Sequence, residues 1–251
     1  MNLLFTVCAR AGSKGVVGKN VRMFCGKPIV YYTLEIYEKY MKKYVSEQYV
    51  IDLAVNTDSD RLLEQIDSKG TKYIFVKRKE ELSGDYIAKG RVIQDTLITT
   101  EKIRKCKYDI IVDLDITSPL RNLKDVEGTI NQVIQNKECN FAYSVVESRR
   151  SPYFNMVCKS ADGFYTRVIS SNYTARQQTP ECFDMNASIY VYKKDYLIHM
   201  DSENTCALIW KMEDSVILDI DSEKDFEIME ILTKYYWEQG KYLDIIGKHE
   251  K

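Results

Sequence analysis

Short apolar runs alternate with longer amphipathic segments over the first half of the chain. Apolar, β-prone runs at 2–8, 49–55, 73–76 and 109–115 predict strands, the first of them buried. Segments at 29–44, 61–69 and 87–104, and a further one that follows a turn at 117–121 and ends at 135, read as helices. This alternation predicts an α/β fold with a doubly wound, mostly parallel sheet.

The pattern changes after residue 140. Strand-like runs at 141–146, 164–169 and 187–192 are separated by polar segments without a long helix, which predicts a β-rich insertion at about 148–184. A strand at 216–219 and a helix at 223–237, capped by Ser222, are expected next, followed by a polar tail. Because no repeat or linker interrupts the chain, we predict one domain over residues 1–251.

The segment after the first predicted strand has a composition that suits an anion. Residues 9–20 read A-R-A-G-S-K-G-V-V-G-K-N, with three glycines and no acidic residue. The other polar residues relevant to an anion are Arg10, Ser13, Lys14 and Lys19. Glycines let backbone N–H groups approach phosphate oxygens, and cations neutralise them. The glycine spacing excludes a dinucleotide fingerprint, and Pro28 after Gly26-Lys27 excludes a Walker loop. A basic surface turn is the alternative reading.

Composition narrows the class of partner. A hydrophobic fraction of 45% in 251 residues allows a sizeable core, and a net charge of −1 does not indicate a nucleic-acid partner or an acidic membrane partner. No apolar run is long enough to span a bilayer and the first residues do not resemble a signal peptide, so we expect a cytoplasmic protein. Seven scattered cysteines predict reduced thiols, and two distant histidines argue against zinc.

Several blocks together resemble one family. They are the 9–20 segment, G-K-P-I-V-Y-Y-T at 26–33, T-S-P-L-R at 117–121 and D-I-D-S at 219–222. This set resembles the CMP-sialic acid synthetases (acylneuraminate cytidylyltransferases) from about residue 3 to about residue 235. The resemblance implies a Rossmann-like nucleotidyltransferase that uses CTP and Mg²⁺ to activate a nine-carbon 2-keto sugar acid. It also implies a homodimer, in which the 148–184 insertion is an arm exchanged with the partner.

The resemblance assigns roles on the nucleotide side. Arg10, Ser13, Lys14 and Lys19 are expected at the triphosphate, Asn20 at the base or ribose, and Arg78 and Ser83 at the cytidine. Asp219 and Asp221 stand two residues apart at the end of a predicted strand, so their carboxylates can share one Mg²⁺. Capping of the next helix is the alternative for these two. Lys19, Arg10, Asp219 and Asp221 form the expected catalytic set.

The acceptor side departs from the family at one position. Asp115 stands where the family usually has glutamine, and Asp113 alternates with it on the same strand face. The expected sugar contacts are Asp115, Thr117, Ser118, Arg167, Arg176, Gln177, Phe183 and Asn186. Arginine suits a carboxylate, and both arginines read equally as exposed arm residues. The sequence looks closest to the branch that activates legionaminic acid.

Two other functions stay open. A CMP-Kdo synthetase shares the fold, but the metal carboxylate of that family corresponds to Thr117 here. An inactive nucleotide-sugar-binding protein is disfavoured because Lys19, Asp219 and Asp221 occur together.

Overall fold

In the described part of the chain, seven strands form a central sheet. The computed structural model describes residues 1–12, 15–46, 49–84, 86–199, 206–216 and 218–241. The strands in chain order are β1 Leu3–Ala9, β2 Met23–Phe24, β3 Lys27–Pro28, β4 Ile51–Thr57, β5 Ile74–Lys77, β6 Ile110–Leu114, β7 Phe141–Glu147, β8 Val157–Lys159, β9 Tyr165–Arg167, β10 Phe183–Lys193 and β11 Ala207–Lys211. The helices are α1 Val30–Tyr44, α2 Asp60–Lys69, α3 Lys89–Arg104, α4 Leu123–Gln135, α5 Lys194–His199 and α6 Glu223–Glu238.

The central sheet is mostly parallel, as predicted. Its order is β11-β7-β10-β6-β1-β4-β5. β1 pairs in parallel with β4 and β6, β4 pairs in parallel with β5, and β11 pairs in parallel with β7. β10 runs antiparallel to both of its neighbours, β6 and β7. The carboxyl ends of β1, β4, β5 and β6 therefore meet at one edge.

Helices cover both faces of this sheet. Leu3, Phe5 and Val7 of β1 face a core that includes side chains from α1, α2, α4 and α6. Leu4 faces the opposite core, which includes side chains from α3 and α5. Burial on both sides explains the apolar run without alternation in β1. Among the described residues, no helix has the length and apolar character needed to cross a membrane.

Three helices begin at side-chain caps that are legible in the sequence. Ser59 accepts a hydrogen bond from the Leu62 N–H at 3.3 Å at the start of α2. Asn122 with Asp125, and Ser222 with Asp225, form reciprocal capping boxes at α4 and α6. The predicted Ser222 cap is thus confirmed, and α6 begins directly after the conspicuous D-I-D segment.

Residues 148–182, here called the arm, connect β7 to β10. The arm contains β8 and β9, which pair with each other and not with the central sheet. It leaves large apolar side chains exposed, including Val157 at 63%, Phe164 at 72% and Tyr165 at 68%. An exposed apolar surface of this kind is typical of a protein interface.

The predicted strand at 216–219 is wrong for the residues described there. Asp214–Val216 is a 3₁₀ turn, residues 218–221 have no ladder partner, and residue 217 lies outside the described residues. One hydrogen bond, from Ile220 N to the Thr117 carbonyl at 3.0 Å, joins this segment to the end of β6. The actual edge strand is β11, which the sequence analysis did not predict, nor did it predict α5.

Gly128 in α4 lies against the indole of Trp210 in β11. A Cβ added at Gly128 would lie 2.4 Å from ring atoms of Trp210, and Trp210 Nε1 donates to Asp125 Oδ1 at 3.2 Å. The missing side chain therefore lets α4 pack closely on the sheet edge.

We predict that Gly128→Ala lowers the free energy of unfolding by about 1–3 kcal/mol, because overpacking outweighs the better helix propensity of alanine. Urea unfolding of the variant measures this. In a Trp210→Leu background the ring is gone, so the same substitution should be neutral or stabilising. Destabilisation of equal size in both backgrounds would contradict the packing explanation.

Candidate active site

A cleft of about 420 Å³ opens where β1, β5 and β6 end. Its polar and charged lining residues are Arg10, Lys19, Asn20, Arg78, Lys89, Asp115, Thr117, Asp219 and Asp221. Ligands bind at this edge of doubly wound sheets because strand ends and helix starts converge there. The structure thus gathers most of the predicted nucleotide and metal residues into one cleft.

The loop after β1 folds over the cleft and is tied to its surroundings at several points. The Ala11 N–H donates to Asp58 Oδ1 at 2.7 Å, and Asn20 Nδ2 donates to the Arg10 carbonyl at 3.2 Å. A Cβ on Gly15 would lie 1.9 Å from the Asp221 carbonyl oxygen, so only glycine allows this approach. The predicted residues Ser13 and Lys14 lie outside the described residues.

The Lys19 side chain is anchored at the wall of the cleft that is formed by the segment before α6. Its Nζ lies 2.9 Å from Asp221 Oδ1 and 2.9 Å from the Ile220 carbonyl oxygen. The Lys19 side chain is 21% exposed, whereas that of Asp221 is 71% exposed. Lys19 is therefore a fixed charge of the cleft and not a solvated surface lysine. It also joins residues about 200 positions apart in the chain.

Asp219 and Asp221 give the cleft an acidic side. Burial and, after it, the charge of Asp221 raise the pKa of Asp219, and Asp115 adds to this effect. A nearby cation stabilises the ionised form of a carboxylate in this environment. Within the described ranges no cluster of three or more histidine, cysteine or acidic residues could hold a metal by itself. Two carboxylates still suit Mg²⁺, which usually completes its shell with water and phosphate oxygens.

Arg10 and Arg78 form the basic side together with the loop after β5. Arg10 Nη1 donates to the Ser83 carbonyl at 3.1 Å. Arg78 Nε and Nη2 both donate to the Leu82 carbonyl, at 3.2 and 3.0 Å. Arg78 Nη1 is buried and has no hydrogen-bond partner among the described residues. Burial lowers the pKa of Arg78, and Arg78 is one of the residues that line the cleft.

Lys89 is the residue in the cleft that the sequence analysis missed. Its Nζ lies 2.6 Å from Asp115 Oδ2 and 2.8 Å from Asp113 Oδ2. Burial opposes the charged form, but the two carboxylates outweigh it and raise the pKa of Lys89 well above its ordinary value. The two aspartates thus face one way, as predicted. Two carboxylates on one buried face of a strand require a nearby cation, and this requirement was the signal in the sequence that pointed to a missing basic residue.

Asp115 is held by the turn that follows it as well as by Lys89. Its Oδ1 accepts from the Thr117 N–H at 2.9 Å and from the Thr117 hydroxyl at 2.8 Å. Burial alone would raise the pKa of Asp115, but Lys89 and these hydrogen bonds hold it well below its usual range. Asp115 is therefore an ionised hydrogen-bond acceptor in the cleft.

The rest of the T-S-P-L-R segment is structural. Ser118 is 3% exposed and its hydroxyl donates to the Asn186 carbonyl at 3.1 Å, so the structure does not bring it to the cleft. Arg121 is fully buried and donates to the Ser188 carbonyl at 2.7 Å, to the Thr33 hydroxyl and to the Asp115 carbonyl. Burial lowers the pKa of Arg121 to about 10.

The remaining predicted sugar residues do not line this cleft. Arg176 and Gln177 line a second cavity of about 350 Å³ between the arm and the end of β7. Arg167 is exposed and donates to the Ser171 carbonyl at 3.2 Å, within the arm. Phe183 starts β10 opposite Glu147. These four residues are therefore separate from the nucleotide residues of their own chain.

Asn186, which was predicted as a sugar contact, does not line the cleft either. It is 1% exposed, and its Oδ1 accepts from the Ser144 hydroxyl at 2.7 Å. Asn186 lies in the irregular stretch of β10 between Met185 and Tyr190, next to Ala187, which has a φ of 52°. Asn186 thus stabilises the sheet in this structure and does not reach a cleft.

Comparison with known proteins identifies the family. The Cytidylyltransferase family profile matches residues 4–244. The chain belongs to the cytidylyltransferase family. It is 38% identical over 238 residues to "Post-translational flagellin modification protein B" of Campylobacter coli, covering 92% of this chain and 95% of that protein. It is 35% identical over 234 residues to "CMP-N,N'-diacetyllegionaminic acid synthase" of Campylobacter jejuni, covering 92% and 94%.

A solved structure shows that this cytidylyltransferase shares its fold with a known enzyme. A CMP:2-keto-3-deoxy-manno-octonic acid synthetase complexed with CTP superposes with a TM-score of 0.65, covering 94% of this chain and 99% of that one. At 17% identity this likeness concerns the fold alone. The expected family and the Rossmann-like α/β fold are both confirmed, and the chain is a nucleotidyltransferase.

We predict that Gly15→Ala lowers the nucleotidyltransfer rate of this cytidylyltransferase by at least about tenfold, because misplacement of loop groups by about 1 Å is costly in catalysis. Gly12→Ala in the same loop is the matched control, since an added Cβ there meets nothing within 4 Å. Steady-state assays of both variants, with melting temperatures, test this. Equal rates in the two variants would contradict a required approach of Gly15 to Asp221.

Proposed function

We propose that this protein is a cytidylyltransferase for a nonulosonic acid, which it converts with CTP to the CMP-sugar and pyrophosphate. The observation that carries the proposal is one cleft with Lys19 and two arginines facing Asp219 and Asp221. Such a cleft suits a triphosphate with a divalent cation. The anomeric hydroxyl of the acid would attack the α-phosphorus of CTP and lose its proton, while the bond to the departing pyrophosphate breaks.

Charge placement supports the roles proposed for the phosphates. Arg10 and Lys19 stand on either side of the loop after β1, and each is held by hydrogen bonds within the cleft. Fixed donors stabilise developing charge without reorganising during the reaction. We assign Arg10 and Lys19 to this task, and Ser13 and Lys14 of the same loop to the triphosphate.

We assign Mg²⁺ to Asp219 and Asp221. Hard carboxylate oxygens and the raised pKa of Asp219 both fit a divalent cation at this side of the cleft. When bound, the ion would supply positive charge that neutralises the phosphates. The protein's part is to hold the carboxylates; Gly15 approaches the Asp221 backbone, and the Lys19 ion pair holds the Asp221 carboxylate.

Cytosine recognition is assigned to Arg78, Asn20 and Ser83. The buried Arg78 Nη1 lacks a partner, so a carbonyl or ring nitrogen of the base would satisfy it. A buried donor without a partner in the protein favours a base that can accept its hydrogen bond over one that cannot. CTP is therefore proposed as the nucleotide.

The arm accounts for the sugar residues that do not line the cleft. Arg167, Arg176, Gln177 and Phe183 lie on the arm or at its end, next to exposed apolar side chains. We propose that a homodimer covers this surface and that each arm contributes these residues to the partner's acceptor site. A symmetric exchange of arms would bury the exposed apolar side chains and would bring the arm residues to the acceptor site of the other subunit.

For the acceptor we propose legionaminic acid or a close diacylamido relative. The similarity to the diacetyllegionaminic acid synthase and the ionised Asp115 in place of the family's glutamine support this choice. A carboxylate accepts hydrogen bonds only, so it suits an amide N–H or a hydroxyl of the sugar.

Pyrophosphate release tests the function directly. We expect activity with CTP and not with ATP, GTP or UTP, highest with legionaminic acid among legionaminic, sialic, pseudaminic and Kdo acids, and abolished by EDTA. Thermal stabilisation by CTP without pyrophosphate release would instead indicate a binding protein. Preference for Kdo acid would assign the alternative synthetase function.

We also predict that Lys19→Ala lowers kcat more than it raises the KM for CTP, because a charge that acts on the departing pyrophosphate contributes mainly in the transition state. Steady-state kinetics at saturating acceptor measure both constants. Lys27→Ala is a suitable control, since Lys27 pairs with Glu35 outside the cleft lining. An effect confined to the KM for CTP would make Lys19 a binding residue.

A further inference from the structure

The cluster of Lys89, Asp113 and Asp115 has a part that no step of the proposed reaction uses. Asp113 is fully buried, and its Oδ1 accepts from the Thr6 hydroxyl at 2.7 Å. Asp113 Oδ2 has the Lys89 ammonium as its neighbour at 2.8 Å. Asp113 thus holds the Lys89 ammonium from the buried side, while the Lys89 side chain stays 33% exposed and lines the cleft.

Lys89 retains hydrogen-bonding capacity toward the cleft. An ammonium group carries three N–H donors; one donates to Asp115, and Asp113 lies beside the group as an ion-pair partner at 2.8 Å. The ring of Tyr190 lies on another side, with its centroid 5.3 Å from Nζ. The ammonium cannot swing away without leaving Asp113 unpaired in the interior, which is costly. Lys89 is therefore a positioned donor next to Asp115, a positioned acceptor that is 24% exposed.

The charge of the cluster decides what it can bind. The charges of Asp113 and Asp115 are balanced by the Lys89 ammonium and the buried Arg121 guanidinium, and of these groups only Asp115, which accepts hydrogen bonds, and Lys89, which donates them, line the cleft. A substrate carboxylate at this place would meet like charge in a partly buried site. An uncharged group that both donates and accepts would instead use Asp115 and Lys89 together.

We infer that Lys89 is a specificity-determining residue of the acceptor site, and that with Asp115 it binds an uncharged hydroxyl or acylamido group of the acid and excludes its carboxylate. The inference rests on the proposed function. It orients the acceptor, because the carboxylate must then face cations elsewhere, such as the arginines of the arm. It also explains how the chain tolerates an acid in place of glutamine.

The test uses Lys89→Met, which removes the donor, and the double variant Lys89→Met/Asp113→Asn, which removes it while restoring the net charge of the unsubstituted cluster. Lys194→Met is the matched control, because Lys194 has a similar exposure of 25% and pairs with Glu101 outside the cleft lining. Pyrophosphate release is measured with legionaminic and sialic acids, alongside melting temperatures and calorimetric binding of the acid to protein saturated with a non-hydrolysable CTP analogue.

Both Lys89 variants should lose about 10- to 100-fold in kcat/KM for the acid, the scale of a charge-assisted hydrogen bond, while the KM for CTP changes by no more than about twofold. The double variant should regain melting temperature but not kcat/KM. Recovery of both together would show a structural role only, and equal losses for CTP and acid would place Lys89 at the nucleotide; either result overturns the inference. A wild-type protein that neither binds nor converts any acid would overturn the proposed function and the inference with it.

Discussion

The carboxyl end of β6 carries two acidic side chains on one face in a largely buried place, and the site is built around their neutralisation. Asp113 and Asp115 cannot remain ionised there without a cation, and Lys89 at the first turn of α3 supplies it. This pairing sets where α3 begins relative to β6. On the other side, Arg121 donates to the Asp115 carbonyl and to β10 at Ser188, which ties the antiparallel strand to the same point.

A second constraint joins the two ends of the chain. Gly15 approaches the Asp221 backbone more closely than any side chain would allow, and Lys19 pairs with the Asp221 carboxylate. The loop after β1 and the segment before α6 are therefore placed as one unit. Because Lys19 and Asp221 pair with each other, both groups are held at the wall of the cleft where the triphosphate and its cation are proposed to bind.

The cleft and the arm divide the proposed chemistry between them. The cleft holds groups suited to nucleotide, metal and an uncharged part of the acceptor, whereas the arginines suited to a carboxylate lie on the arm. The Asp115 carboxylate gives this division a physical reason, since it only accepts hydrogen bonds and would repel a substrate carboxylate placed beside it, whereas the arginines of the arm would attract that carboxylate. Exposed apolar side chains near those arginines connect the same division to assembly of two subunits.

Much of this protein follows from its sequence alone. Buried strands show as apolar runs, helix starts as capping residues such as Ser222, and the phosphate loop as glycines among cations, because these signals are local and depend on backbone geometry. The fold was predictable in this way, whereas the family, and with it the residues Arg10, Lys19, Arg78, Asp219 and Asp221 of the cleft, followed from the resemblance of several sequence blocks to one family.

Tertiary structure decided the features that depend on partners distant in the chain. Lys89 looks like an ordinary helix residue until α3 packs beside β6, and Asn186 looks like a pocket residue until the pairing of β10 with β7 buries it against Ser144. The edge strand β11 forms by pairing with β7, and this pairing cannot be predicted from the local sequence pattern. Strand pairing and ion pairing depend on which surfaces come into contact. The sequence by itself therefore determined the individual helices, strands and loops of this cytidylyltransferase, whereas their packing determined which charged groups pair and which elements touch.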